Sequence, residues 1–160
     1  MRFNPRKRDS LFDSLEGVVK ALGMRLIELN SSSGKREVHV RIIVDRVPVI
    51  GIDDCARVHR ALIPRLDIAF PGKDITIEVS SPGANRRIKD ASEFESYIGR
   101  NVRCFRTDIQ DWVSGIIESA SGISLCLNIK TGIVEIPYEI IANAQLCQSD
   151  STDKGDSNIV

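Results

Sequence analysis

The sequence predicts an α+β protein: a two-layer α-β-β-α-β unit followed by a small β-barrel. Two observations predict this fold class. In the first half of the chain, segments with the apolar spacing of amphipathic helices are interleaved with segments in which apolar and polar residues alternate. From residue 92 onward, short apolar runs are separated by turn residues, which is typical of a small barrel that closes its own strand edges.

The first helix and hairpin are predicted from local pattern. Apolar residues recur at helical spacing after Ser10, which forms an imperfect capping box with Asp13, and Gly23 suits the position after the last turn. This predicts a helix over 11–22. A strand over 24–30, a serine-rich turn and an alternating strand over 38–44 then predict a hairpin.

The second helix is predicted to begin at Asp53, the expected N-cap, with Ile52 as a hydrophobic staple. Its apolar face is predicted to carry Ile52, Cys55, His59, Leu62 and Leu66. Pro64 is expected to kink or end this helix, because proline removes a backbone hydrogen bond. An alternating strand over 75–79 follows. We expect it to return to the same sheet by a right-handed crossover, with both helices on one face.

In the second half, a capping box at Ser92–Glu95 predicts one short helix that reaches Tyr97. A single helical turn is expected after Pro137. Phe105 and Trp112 are the aromatic residues most able to stack on a partner or to anchor it, but we interpret both as barrel core, because tryptophan is mostly buried on average. The predicted strands are Val102–Arg106, Trp112–Ser119, Ile123–Asn128, Val134–Ile136 and Ala144–Cys147.

Four segments are predicted: a basic flexible arm at 1–9, an α/β domain at 10–84, a barrel domain at 85–147 and a disordered acidic tail at 148–160. The tail has almost no apolar residues to bury. The chain has 22 Lys+Arg and 22 Asp+Glu, so its zero net charge argues against a protein that coats nucleic acid by bulk attraction.

Several site classes lack their sequence signals. The four cysteines form no close pair of the kind that binds zinc, and we interpret them as free thiols in a reducing cytoplasm. No apolar run approaches the roughly 18 residues of a membrane helix, and no signal peptide is expected. The glycines are scattered singly, so neither a phosphate loop nor the Gly-x-x-Gly grip of KH domains is present. No cofactor and no metal are expected.

The most distinctive stretch joins the two predicted domains. A strand runs through Ser80 and Ser81 into Pro82-Gly83. Proline fixes the φ angle of the first central residue of a type II turn, and glycine can adopt the positive φ that the second central residue requires. Basic residues follow this expected stiff elbow directly. The candidate partner- or RNA-binding residues are Ser80, Ser81, Pro82, Gly83, Arg86, Arg87, Lys89, Arg103 and Arg106.

Glu78–Gly83, Glu-Val-Ser-Ser-Pro-Gly, resembles the signature of the RimP family, the ribosome maturation factors. Asp53–Ala56 and Leu66-Asp67, which precede it, also resemble that family, as do Phe94, Gly99 and the closing Ile136–Leu146 stretch. The resemblance covers about residues 10–147 in family order. Arg87 stands where the family usually has proline.

The resemblance implies an N-terminal α/β domain followed by an Sm-like barrel in a cytoplasmic bacterial protein. It also implies a non-enzymatic factor that binds the immature small (30S) ribosomal subunit and assists its assembly. The implied partners are ribosomal RNA and a small-subunit protein near the decoding region, and we expect a monomer. Two alternatives remain: an Sm-like RNA chaperone, which would need a ring, and a serine hydrolase in which Ser80 or Ser81 meets His59.

Overall fold

The computed structural model describes residues 1–5 and 9–148, and they divide into two compact units. The N-terminal unit is Phe3–Gly83, and the C-terminal unit comprises Met1–Arg2 and the chain from Ala84 onward. Residues 6–8 of the predicted basic arm and residues 149–160 of the predicted tail lie outside the described residues.

The N-terminal unit has the predicted element order, with a three-stranded sheet in the order β1-β2-β3. β1 and β2 form the predicted antiparallel hairpin, and β2 pairs with β3 in parallel across the intervening helix. The elements are α1 (Ser10–Ala21), β1 (Arg25–Ser33), β2 (Glu37–Asp45), α2 (Ile52–Ala69) and β3 (Asp74–Ser80).

Both helices of this unit pack on the same face of the sheet. The inward side of β2 alternates with exposed His39 and Arg41, as expected for a strand with one buried face. One buried cluster joins side chains from both helices to that side, so the two-layer prediction for this unit is confirmed. Its members from α1, β2 and α2 are Leu15, Val19, Val38, Val40, Ile42, Val44, Val58, Leu62 and Leu66.

The cap of α1 lies one residue before the predicted one. The Asp9 carboxylate accepts a hydrogen bond of 2.7 Å from the Phe12 backbone N–H, so Asp9 rather than Ser10 caps the helix. Gly23 adopts φ 79°, the left-handed conformation that the predicted helix end requires.

The start of α2 also differs from the prediction. Gly51 is the N-cap, and the Asp54 carboxylate accepts hydrogen bonds from the Gly51 N–H and the Arg46 Nη1, both at 3.0 Å. The Gly51 N–H, followed by Arg46, lowers the pKa of Asp54. Ile52 is 89% exposed, so it does not join the buried face as predicted.

Pro64 does not end α2, which continues to Ala69. Proline removes only one intrahelical hydrogen bond, and its ring lies on the exposed side of the helix. Leu62 and Leu66, on either side of it, are fully buried in the core. Tertiary packing therefore holds the helix through a residue that local rules predict to break it.

The C-terminal unit contains a five-stranded antiparallel sheet in the order β7-β6-β5-β4-β8. Its strands agree with the predicted ones to within a few residues. A 3₁₀ helix over Ala91–Tyr97 precedes the sheet, and a second one over Tyr138–Ile140 precedes the last strand. The strands are β4 (Asn101–Arg106), β5 (Asp111–Ala120), β6 (Ser124–Ile129), β7 (Gly132–Pro137) and β8 (Ile141–Leu146).

The predicted closed barrel is wrong, because the sheet is open: among the described residues, β7 and β8 are its two edges and do not pair. A neighbouring segment covers the β8 edge instead. The Ile88 N–H donates to the Ala144 carbonyl, and the Leu146 N–H donates to the Arg86 carbonyl, both at 2.9 Å. Residues 86–88 thus satisfy the backbone groups that closure would otherwise satisfy.

The 3₁₀ helix packs into the core of this unit. The Asp90 carboxylate, and not Ser92 as predicted, caps it by accepting from the Ser92 N–H at 2.8 Å. Phe94 is fully buried and stacks on Tyr138 with ring centroids 5.8 Å apart. Burial also raises the pKa of Tyr138 to about 12, and its hydroxyl donates to the Ser121 carbonyl.

The start of the chain is held on the C-terminal unit. The Met1 ammonium group donates to the carbonyls of Tyr138 and Ile141, at 2.6 and 2.8 Å. The Arg2 carbonyl accepts from the Ala91 N–H at 2.8 Å. These two residues of the predicted flexible arm are therefore anchored by hydrogen bonds.

The turn after β3 lies two residues later than predicted. Gly83 is not among the glycines with positive φ, so a type II turn centred on Pro82-Gly83 is wrong. The turn falls at Ala84-Asn85 instead. A side chain is therefore sterically possible at position 83, where an added Cβ would meet nothing within 4 Å.

Gly83→Ala is expected to leave the free energy of unfolding unchanged or to raise it by about 0.4–1 kcal/mol, because alanine restricts the unfolded chain. Gly115→Ala is the matched contrast, since its Cβ would lie 2.7 Å from the Asn128 carbonyl oxygen on β6. That variant is expected to lose about 1–3 kcal/mol through strain between β5 and β6. Urea denaturation of both variants measures the difference. A large loss for Gly83→Ala would contradict this description of the joint.

Candidate functional site

One surface of the C-terminal sheet combines arginine with aromatic side chains. Along β4, Val102 and Cys104 are fully buried, whereas Arg103 is exposed and Phe105 is half-buried. Because successive strand residues point to opposite faces, Arg103 and Phe105 lie on the outer face. Trp112 of β5 pairs in register with Phe105 and extends the same face.

Trp112 is the central aromatic group of this surface. Its side chain is 40% exposed, so its predicted place in the core is wrong. The Phe105 ring meets it edge-on, with centroids 5.5 Å apart and an interplanar angle of 71°. The Arg103 guanidinium carbon lies 4.6 Å from the Trp112 ring centroid, which is cation–π geometry.

Two side-chain amides hold the arginines of this surface. The Gln145 oxygen, with the amide oriented toward Arg103, accepts from the Arg103 Nε and Nη2. The Arg87 Nη2 donates to the Asn143 Oδ1 at 2.9 Å, and the Arg87 backbone forms a β-bridge with Gln145. We call this surface the Arg–Trp face. It consists of Arg87, Arg103, Phe105, Trp112, Asn143 and Gln145.

The two arginines of the Arg–Trp face keep their charge uncompensated. Among the ion pairs of the described residues, none involves Arg87 or Arg103. Both are oriented by neutral amides, which accept hydrogen bonds without neutralising a guanidinium. The surface therefore presents two positioned positive charges beside an exposed indole.

Two other predicted contact residues are engaged within the protein. Arg106 donates to both carboxylate oxygens of Asp108, at 3.1 and 2.7 Å. Hydrogen bonding raises the pKa of Arg106 and lowers that of Asp108. Arg86 lies 3.8 Å from the Glu93 carboxylate, and these side chains are only 15% and 11% exposed. Neither arginine offers a free charge comparable to that of Arg87.

The remaining predicted residues are dispersed. Lys89 is exposed in the C-terminal unit, near Arg87 in the sequence. Ser80–Gly83 belong to the N-terminal unit, where Ser80 is half-buried, Pro82 is buried, and Ser81 and Gly83 are exposed. The structure thus brings Arg87 and Arg103 together around Gln145. Arg86 and Arg106 are instead paired with carboxylates.

The sequence analysis selected Trp112 and Phe105 as able to stack but placed both in the core, and it missed the two amides of the Arg–Trp face. A usable signal existed for Trp112. It shares its strand parity with Ser114, which is exposed, whereas Gly115 and Ile117 of the opposite parity are buried. No local signal predicted the two amides, because they lie on β8 and approach their arginines only in the folded sheet.

The cysteines and acidic residues form no further site in the described part of the chain. All four cysteines are free, and burial raises the pKa of the Cys104 thiol to about 12, so this thiol is unreactive. No group of three or more His, Cys, Asp or Glu side chains within residues 1–5 and 9–148 is placed to hold a metal ion. No helix in these residues is long and apolar enough to span a membrane.

Comparison with known protein families bears on the N-terminal unit. Residues 14–85 match the family model of the RimP N-terminal domain. The N-terminal unit is a RimP N-terminal domain. The match contains nearly all of the α-β-β-α-β unit and runs through Ser80–Gly83 to the turn at Ala84-Asn85. The resemblance to the RimP family carried by Glu78–Gly83 is therefore confirmed for this unit.

Proposed function

We propose that this chain binds the immature small (30S) ribosomal subunit and assists its assembly without catalysing a reaction. The observation that carries the proposal is the RimP N-terminal domain over residues 14–85. Binding would stabilise one conformation of the unfinished subunit and so shift its population toward the form that accepts the next assembly step. The setting is the cytoplasm of a bacterium, and the factor acts as a monomer.

The partners in this proposal are ribosomal RNA and a small-subunit protein near the decoding region. Exposed Arg87, Lys89 and Arg103 support the RNA contact, because basic side chains without carboxylate partners can neutralise phosphates. Ser80–Gly83 stay proposed contact residues of the N-terminal unit. The antiparallel strand order β7-β6-β5-β4-β8 supports an Sm-like, open variant of a small barrel for the C-terminal unit.

The alternative of an Sm-like RNA chaperone is disfavoured by the strand edges. A ring of identical chains joined edge to edge would need both outer edges of each sheet. Residues 86–88 already hydrogen-bond to the β8 edge. The covered edge thus favours a monomer. A mass in light scattering that corresponds to a ring-sized oligomer would support the RNA chaperone instead.

No observation favours the serine hydrolase. In the described part of the chain, no hydrogen bond joins the side chain of His59 to that of Ser80 or Ser81, so the base is not held against either hydroxyl. The double variant Ser80→Ala with Ser81→Ala tests the hydrolase: if it shows no loss of any phenotype, the hydrolase is excluded.

Co-sedimentation with immature small subunits tests the proposal. The wild-type chain is expected to migrate with them in a sucrose gradient. Arg87→Glu with Lys89→Glu is expected to weaken binding by tenfold or more, roughly, and to reduce the dependence of log affinity on log salt by about two, one for each lost phosphate contact. Lys130→Glu, an exposed charge reversal in the β6–β7 turn, controls for the effect of one such reversal outside these residues.

Two results would contradict the proposal at different levels. If the wild-type chain does not co-sediment with immature subunits and its deletion leaves ribosome profiles normal, the proposed function is wrong. If the double variant binds with an unchanged salt dependence, the function stands and the phosphate contacts lie elsewhere.

A further inference from the structure

We propose that the Arg–Trp face is a binding site for single-stranded RNA, in which an unpaired base stacks on the Trp112–Arg103 pair and the guanidinium groups of Arg87 and Arg103 contact the adjacent phosphates. This inference deepens the proposed function, on which it rests, by naming the surface and the form of RNA that it takes.

The electrostatics of the face supply the first argument. Its six side chains carry two positive charges and no negative one. Arg87 and Arg103 differ in this from Arg106, which has a bidentate bond to Asp108, and from Arg86, which lies beside Glu93. A polyanion would supply the negative charge that the protein itself does not place beside the guanidinium groups of Arg87 and Arg103.

Positioning supplies the second argument. A flexible surface arginine loses side-chain freedom when it binds a phosphate, and this loss weakens binding. Asn143 and Gln145, both on β8, already hold the two guanidinium groups, that of Arg103 from the neighbouring strand β4 and that of Arg87 from the segment bridged to β8. The amides accept from one side of each guanidinium, and other N–H donors remain for a ligand because each group has five.

The exposed indole supplies the third argument. A large apolar side chain that is 40% exposed on a sheet loses the benefit of burial unless a partner covers it. Stacking of bases on aromatic side chains beside basic groups is the general mode by which sheet surfaces bind single strands. A base inside a duplex has its faces covered by its neighbours, so the site requires unpaired RNA.

The competing occupant is a protein, because tryptophan and arginine are also frequent at protein interfaces. A protein partner that met this face would need carboxylates opposite Arg87 and Arg103, whereas every RNA segment brings a phosphate at each nucleotide. Charge therefore favours RNA, and a protein partner is one outcome of the experiment.

The chain contains one tryptophan, so its fluorescence reports directly on this face. We would titrate the full chain with a single-stranded oligouridine and with an RNA duplex of the same length, at low and moderate salt. The single strand is expected to quench Trp112 emission in a saturable way. The duplex is expected to quench it weakly or not at all.

Three variants separate the roles of the face, with binding followed by anisotropy of a labelled oligouridine. Trp112→Ala is expected to weaken binding by about tenfold, in line with the loss of one stacked base. Arg103→Gln is expected to weaken binding and to reduce the salt dependence by about one. Lys130→Gln, an exposed change outside the face, is expected to leave the affinity within twofold.

Each other outcome overturns the inference in a recognisable way. If oligouridine does not quench Trp112 but Trp112→Ala weakens binding to immature subunits, the occupant is a protein. If Trp112→Ala binds both oligouridine and subunits like the wild type, the face is not a binding site. In both cases wild-type binding to subunits persists, which distinguishes failure of this inference from failure of the proposed function.

Discussion

Replacing Arg86 by glutamate is expected to destabilise the C-terminal unit by about 3–5 kcal/mol, the cost typical of breaking a largely buried ion pair. The Arg86 guanidinium lies 3.8 Å from the Glu93 carboxylate, and both side chains are mostly removed from water. The substitution would place two carboxylates together in a poorly solvated site. Urea denaturation followed by circular dichroism measures the loss.

Arg87→Glu is the matched control, since it changes the neighbouring charge on an exposed side chain. It is expected to alter stability by about 0.5 kcal/mol or less while weakening subunit binding. The double variant Arg86→Glu with Glu93→Arg is expected to recover part of the lost stability. If Arg86→Glu folds as stably as the wild type yet binds subunits poorly, Arg86 is a contact residue and its assigned structural role is wrong.

Phe94→Ala is expected to lower the free energy of unfolding by about 3–5 kcal/mol, because it removes a fully buried aromatic side chain and leaves a cavity. The stacking with Tyr138 is lost at the same time. Thermal and urea denaturation both report the loss. Phe94→Leu is expected to lose less, since it fills part of the volume.

Ile133→Ala serves as the control for Phe94→Ala, because Ile133 lies on the same unit with 68% of its side chain exposed. Its expected change in stability is about 0.5 kcal/mol or less. Equal losses for the two variants would contradict the placement of Phe94 in the core.

The predicted elements agree with the structure where the pattern is repeated over many residues. The alternation along β2 marked its buried side chains, and the five C-terminal strands were all located from apolar runs between turns. Such patterns are reliable because every second residue reports the same face.

The wrong predictions are those that depended on a single capping, helix-breaking or turn residue. Asp9 caps α1 in place of Ser10, and Gly51 caps α2 in place of Asp53. Pro64 lies within a continuous helix, and Gly83 does not form the predicted turn. A single capping or turn residue contributes on the order of 1 kcal/mol, which tertiary packing easily exceeds.

The candidate site could be predicted only in part. Arg87 and Arg103 were selected from the sequence, but so were Arg86 and Arg106, and the only local feature that distinguishes one of the four by its observed partner is Asp108, two residues after Arg106. What separates them is the partner of each guanidinium: a carboxylate for Arg86 and Arg106, and an amide for Arg87 and Arg103. For Arg87 that amide lies 56 positions away in the chain.

The sequence by itself determined the order of helices and strands, the buried side of most strands and the family of the N-terminal unit, because these depend on repeated local patterns and on a contiguous motif. Only the tertiary structure decided that residues 86–88 cover the β8 edge, that Trp112 faces outward and that two of the four arginines keep a free charge. These features arise from pairs of residues distant in the chain, whose approach is set by strand order and register rather than by the character of either residue alone.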